Sequence, residues 1–137
     1  MALVGGGGAG NVAGSNPSGI GSSLNYVGDF AYAYCGKVAS GSSGSENTAF
    51  LFTTGSTLFK GHVQFCYPGD ASENMTFRIY MNGEIIQQWV NTGSLEPNQP
   101  QNPVWIIIPA YTLVQITVAS AGSAREQIGS ITGRVYA

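Results

Sequence analysis

The chain has 137 residues, one domain's length, and 43% hydrophobic content is enough for a real core. Only 9% of residues are charged and the formal net charge is −2, which leaves no basic footprint for nucleic acid and no polybasic patch for an anionic membrane. So few charges defend a surface poorly against association, and the composition predicts a surface partly covered by other protein.

Residues 1 to 25 carry no charge, and eight of the first 21 positions are glycine. This mixture of Gly, Ser, Asn and Ala predicts a flexible arm that orders only on a partner, with Leu3, Val4, Val12 and Ile20 as shallow anchors. Gly5, Gly7 and Gly10 satisfy G-x-G-x-x-G, but no strand precedes them and no helix follows, so the match is compositional rather than a dinucleotide site. The opening Met-Ala-Leu-Val and its four glycines lack the basic and apolar regions of a secretory signal. The expectation is a protein made in a cytoplasm, with Cys35 and Cys66 as buried thiols rather than a disulfide.

From Tyr26 to Val38 the chain reads as a strand, with Phe30, Tyr32 and Tyr34 on one face and Ala31, Ala33 and Cys35 on the other. The tyrosine stripe has two readings. The preferred one is core packing with the hydroxyls reaching water, because Tyr is a good strand residue; the other is a contact surface for a partner. Ser40 to Ser45 is a loop. Thr48 to Thr53 is a short strand, and Leu58 to Tyr67 follows with Phe59, Val63, Phe65 and Tyr67 inward and Lys60, His62 and Gln64 on the opposite face.

Pro68-Gly69-Asp70 is a turn, and the segment from Met75 to Val90 is the clearest element of the chain. Met75, Phe77, Ile79 and Met81 alternate with Thr76, Arg78 and Tyr80, and Asn82-Gly83 supplies a two-residue turn. Both central residues of a type I′ turn need positive φ, which Asn tolerates and Gly adopts freely, so the segment predicts a β-hairpin. A proline-rich loop after Val90 leads into Val104 to Ile108, apolar on both faces and therefore expected to be covered on both. Leu113 to Ala119 and Ile128 to Tyr136 complete about eight strands, and no segment has helical period.

The reading is all-β: an antiparallel two-sheet β-sandwich of jelly-roll type at 26–137, preceded by the arm at 1–25. Loops as unequal as Asn82-Gly83 and the proline-rich connection suit Greek-key crossings better than an up-and-down barrel. For catalysis the residue supply is thin. His62 is the single histidine, sits mid-strand away from the core, and has no G-x-S-x-G elbow to serve. One His and two scattered Cys make no closed zinc site, and Asp70 with Glu73 is at most compatible with a weak loop calcium site. No catalytic residue, metal ligand or cofactor site is assigned.

Three features taken together resemble the single jelly-roll structural proteins of virus particles, especially small phage decoration or minor capsid proteins. They are the uncharged arm Met-Ala-Leu-Val-Gly-Gly-Gly-Gly-Ala-Gly-Asn-Val-Ala-Gly, the weakly charged strand Phe50-Leu51-Phe52-Thr53-Thr54-Gly55, and the last strand Ile131-Thr132-Gly133-Arg134-Val135-Tyr136. The resemblance implies a non-enzymatic virion component, made in the host cytoplasm, that forms a homo-oligomer, a trimer for preference. It also implies an arm that laces neighbouring subunits or other capsid proteins. Tyr32, Tyr34, Trp89 and Trp105 are the candidate interface residues. The alternative is a carbohydrate-binding module or fibre-head receptor domain, with Trp89, Trp105 and Tyr111 as its stacking platform.

Overall fold

The computed structural model describes residues 21–67, 73–91 and 100–136. The anchors Leu3, Val4, Val12 and Ile20, the Asp70 turn and most of the proline-rich loop lie outside the described residues.

Nine strands and no helix are found there: β1 (Asn25–Val27), β2 (Phe30–Ala39), β3 (Glu46–Thr53), β4 (Leu58–Cys66), β5 (Met75–Met81), β6 (Glu84–Asn91), β7 (Val104–Ile108), β8 (Leu113–Ser120) and β9 (Glu126–Tyr136). They form a five-stranded sheet in the order β1-β2-β9-β4-β7 and a four-stranded sheet in the order β3-β8-β5-β6. All strand pairs are antiparallel. From β2 onward every connection except the β5–β6 hairpin crosses to the other sheet, which is the winding of a jelly roll.

The Asn82-Gly83 turn forms as its chemistry requires, with φ of 52° and 87° between the closing pair Met81 and Glu84. The single strand expected from Tyr26 to Val38 is instead a hairpin. Gly28, at φ 61°, and Asp29 fold β1 back onto β2, pairing Val27 with Phe30. Gly-Asp between strand residues is itself a hairpin signal, and it was hidden by the uninterrupted apolar run around it.

The core lies between the sheets. It is built from the inward alternates Phe59, Val63 and Phe65 of β4, Met75, Phe77 and Ile79 of β5, and Val114, Ile116 and Val118 of β8, with Phe50 and Ile131. Ala31, Ala33 and Cys35 are buried, so the face bearing Phe30, Tyr32 and Tyr34 points outward and the preferred reading of the tyrosine stripe as core is corrected. Cys35 and Cys66 are free thiols, Cys35 buried and Cys66 partly so. The Gly129 amide donates to Cys35 Sγ at 3.2 Å, and burial above all pushes that thiol's pKa up to about 11.

The two lateral sides of the sandwich differ. On one side Gly21 pairs in parallel with Phe50: its amide donates to the Ala49 carbonyl and its own carbonyl accepts from the Leu51 amide, both at 2.9 Å. Leu24 is buried as the chain then crosses to β1, so residues 21–25, counted with the arm from composition, close this side of the sandwich. On the other side the edge strands β6 and β7 leave a cleft of about 440 Å³ lined largely by Ile79, Met81, Ile86, Trp105, Ile106 and Ile107.

Candidate functional site: the outer face of the five-stranded sheet

The outer faces of the two sheets are chemically unlike. On the four-stranded sheet Thr48, Gln115, Tyr80, Arg78, Gln88 and Glu46 are tied together by side-chain hydrogen bonds. The Glu46 carboxyl there is pushed up by burial but held below the usual carboxylate range by hydrogen bonds from Thr117, Tyr80 and Arg78 and by the Arg78 charge. The polar groups of this face are largely paired with one another, beside exposed Leu51, Ile85 and Val90.

The five-stranded sheet instead presents aromatic and cationic side chains in rows set by strand register. One row runs Tyr32, Thr132, His62, Trp105 across β2, β9, β4 and β7. The next runs Phe30, Arg134, Lys60, Ile107. Tyr136 opposite Leu58 closes one end. Aromatic rings thus stand on the outer strands β2 and β7, while the central strands carry the shorter Thr132 and the polar His62. The result is a trough of about 480 Å³.

Beneath the floor Gly61 and Gly133 are partners across β4 and β9, with their side-chain positions toward the core. A Cβ on Gly61 would stand 2.1 Å from the Thr132 carbonyl oxygen, and one on Gly133 would stand 2.3 Å from that of Lys60. His62 Nε2 lies 3.1 Å from the Thr132 hydroxyl, and its ring meets Trp105 edge-on at 5.1 Å. Arg134 sits 5.4 Å from the Phe30 ring centre and 5.9 Å from that of Tyr136, with Asp29 Oδ2 at 3.5 Å. Lys60 has no ion pair among the described residues.

The structure therefore brings together three of the four candidate interface residues, Tyr32, Tyr34 and Trp105, and separates the fourth. Trp89 lies on β6, stacked on Phe77 at 5.2 Å with an interplanar angle of 11°. Of the platform expected from Trp89, Trp105 and Tyr111, Trp89 packs against the core, and Tyr111 stands exposed in the turn between β7 and β8. Phe30, Lys60, Arg134 and Tyr136 were not singled out from the sequence as site residues. Their outward parity was readable strand by strand, but their adjacency depends on register. The expectation that β7 is covered on both faces fails for the single chain: Trp105 is 67% and Ile107 57% exposed, because β7 is an edge strand with a core on one side only.

Among the described residues no cluster of three or more His, Cys, Asp or Glu side chains is placed to hold a metal ion. No described helix is long and apolar enough to cross a membrane. Glu73 is engaged by Arg125 at 3.7 Å.

Fold and surface together define the class of molecule: a jelly-roll β-sandwich with one face of largely paired polar groups and one aromatic face. No protein-family model matches the chain, and no curated protein matches it.

Proposed function

We propose that this protein is a non-enzymatic structural component of a virus particle, a capsid decoration or minor capsid protein. It self-associates, with a trimer preferred, and its N-terminal arm attaches to or laces neighbouring subunits. The single observation carrying this reading is the open lateral side of the sandwich. Among the described residues the edge strands β6 and β7 have no further partner, and Ile86 and Ile107 are more than half exposed beside an apolar cleft. Edge strands of soluble proteins are usually blunted by charge, proline or bulges, yet β7 reads Val-Trp-Ile-Ile-Ile and β6 carries one charged residue, Glu84. The bulge at Ile86 turns an isoleucine outward rather than a lysine. The jelly roll is a recurrent fold of capsid proteins, which fits the reading without establishing it.

The test is mass spectrometry of purified particles from a host expressing the chain, together with a variant lacking residues 2 to 20. The deletion stops there because Gly21 and Leu24 belong to the sandwich. The expected result is that the full chain is incorporated, while the truncated chain folds with unchanged melting temperature and is excluded. Equal incorporation of both would remove the arm from the mechanism, and absence of both would remove the virion.

The carbohydrate-binding alternative keeps a place because of one observation, the aromatic trough on the opposite side of β7 from the core. Of the platform expected from the sequence it holds Trp105, with Tyr32 and Tyr34 in place of Trp89 and Tyr111.

A further inference from the structure

We propose that the trough on the outer face of the five-stranded sheet binds an acidic saccharide, with pyranose rings lying against Tyr32 and Trp105 and a sugar carboxylate on Lys60. The site is independent of whether the chain belongs to a virion.

Three properties of the trough carry the assignment. First, both walls are aromatic: Tyr32 and Tyr34 stand with ring centres 5.2 Å apart on one side, and the exposed indole of Trp105 stands on the other. The apolar C–H faces of a pyranose pack on such rings, where an aromatic side chain offers a large rigid surface with a polar edge. Second, the floor is polar and shallow. The Thr132 hydroxyl and the His62 ring already share a hydrogen bond, and both retain lone pairs or protons for sugar hydroxyls. The residues beneath them, Gly61 and Gly133, turn their Cα hydrogens to the core, where the Phe59 ring packs over both, so the trough is floored by the outward side chains of β4 and β9 alone. The volume of about 480 Å³ falls within the range of small-ligand pockets.

Third, the charge is of one sign and small. The molecule carries net −2, yet two of its five Lys and Arg residues and its only His lie along this trough. Asp29 at the rim engages Arg134, while Lys60 has no ion pair among the described residues. A phosphate polymer needs several cations in a row to release its counterions, which this surface lacks. One free ammonium between two aromatic walls matches a carboxylate carried by an individual sugar ring.

The experiment is calorimetric titration of the full-length protein at low salt with four probes: oligogalacturonate, sialyllactose, a cello-oligosaccharide and single-stranded oligothymidylate. At least one acidic saccharide should bind, at least about tenfold more tightly than the neutral one. Lys60→Gln, an exposed change, should weaken that binding by about tenfold or more and remove most of its salt dependence, with melting temperature unchanged. Tyr32→Ala should abolish it. The proposal is overturned if neither acidic saccharide binds, if the neutral sugar binds as well, if oligothymidylate binds in preference, or if Lys60→Gln binds like the parent. Light scattering on the same samples separates the two readings. A monomer that binds acidic sugar sinks self-association and leaves the site, while an oligomer that binds none sinks the site alone.

Discussion

Gly83 and Glu46 show how single residues set limits on this fold. Gly83 holds φ at 87° with open space around a would-be side chain, so a substitution there meets backbone strain rather than a clash. Gly83→Val should cost about 1 kcal/mol or more, since a β-branched residue resists that region. The check is the urea midpoint, and an unchanged midpoint would contradict the turn geometry. Glu46 accepts from Tyr80 Oη at 2.7 Å and sits 3.3 Å from Arg78 Nη1. Its folded pKa lies below the unfolded carboxyl value of about 4.3. The stabilisation is therefore complete above that value and is lost as pH falls through the lower, folded one. With the group about one-third exposed, the effect should stay below about 1 kcal/mol. Urea midpoints compared between about pH 6 and about pH 3 should fall less for Glu46→Gln than for the parent.

At the scale of elements, the contact between β4 and β9 sets how closely the core packs beneath the trough. Gly61 and Gly133 are register partners, the Phe59 ring packs over both from the core side, and a Cβ on either would meet backbone well inside contact distance. Gly133→Ala should therefore destabilise by about 1–3 kcal/mol, the usual cost of forcing atoms into a filled site. Urea unfolding measures the loss, and a neutral result would mean that the two strands separate easily. Trp105 borders both this trough and the lateral cleft, so the two surfaces meet at β7.

For the whole molecule, the asymmetry between the two lateral sides is the feature with the largest consequence. Residues 21–25 seal one side with backbone hydrogen bonds and the buried Leu24, while no described residue covers the β6–β7 side. An isologous contact there gives a dimer, and a heterologous contact closes a ring if the rotation allows. Charge placed on this side should prevent either. Ile86→Asp combined with Ile107→Asp is expected to weaken association by at least about tenfold while leaving the fold intact, because both side chains are more than half exposed. Light scattering of parent and variant at equal concentration reads the outcome, and an oligomer of unchanged mass would place the contact elsewhere.

The sequence by itself determined the period-two strands, the Asn82-Gly83 hairpin, the inward identities of β4, β5 and β8, and the all-β sandwich. These follow from local parity and turn chemistry, which need only neighbouring residues. It also put Lys60 and His62 on one face of β4 and Phe30, Tyr32 and Tyr34 on one face of β2. What it left open was which faces would meet. Tyr32 and Thr132 are 100 positions apart and His62 and Trp105 are 43 apart, yet one row of strand pairing makes them neighbours. Register of that kind is fixed by burial of the opposite face and by turns far along the chain, so no window of sequence contains it. For the same reason the tyrosine stripe passed for core. Only closure of the two sheets on Ala31, Ala33 and Cys35 turned Tyr32 and Tyr34 outward, and only the edge position of β7 left Trp105 uncovered beside them.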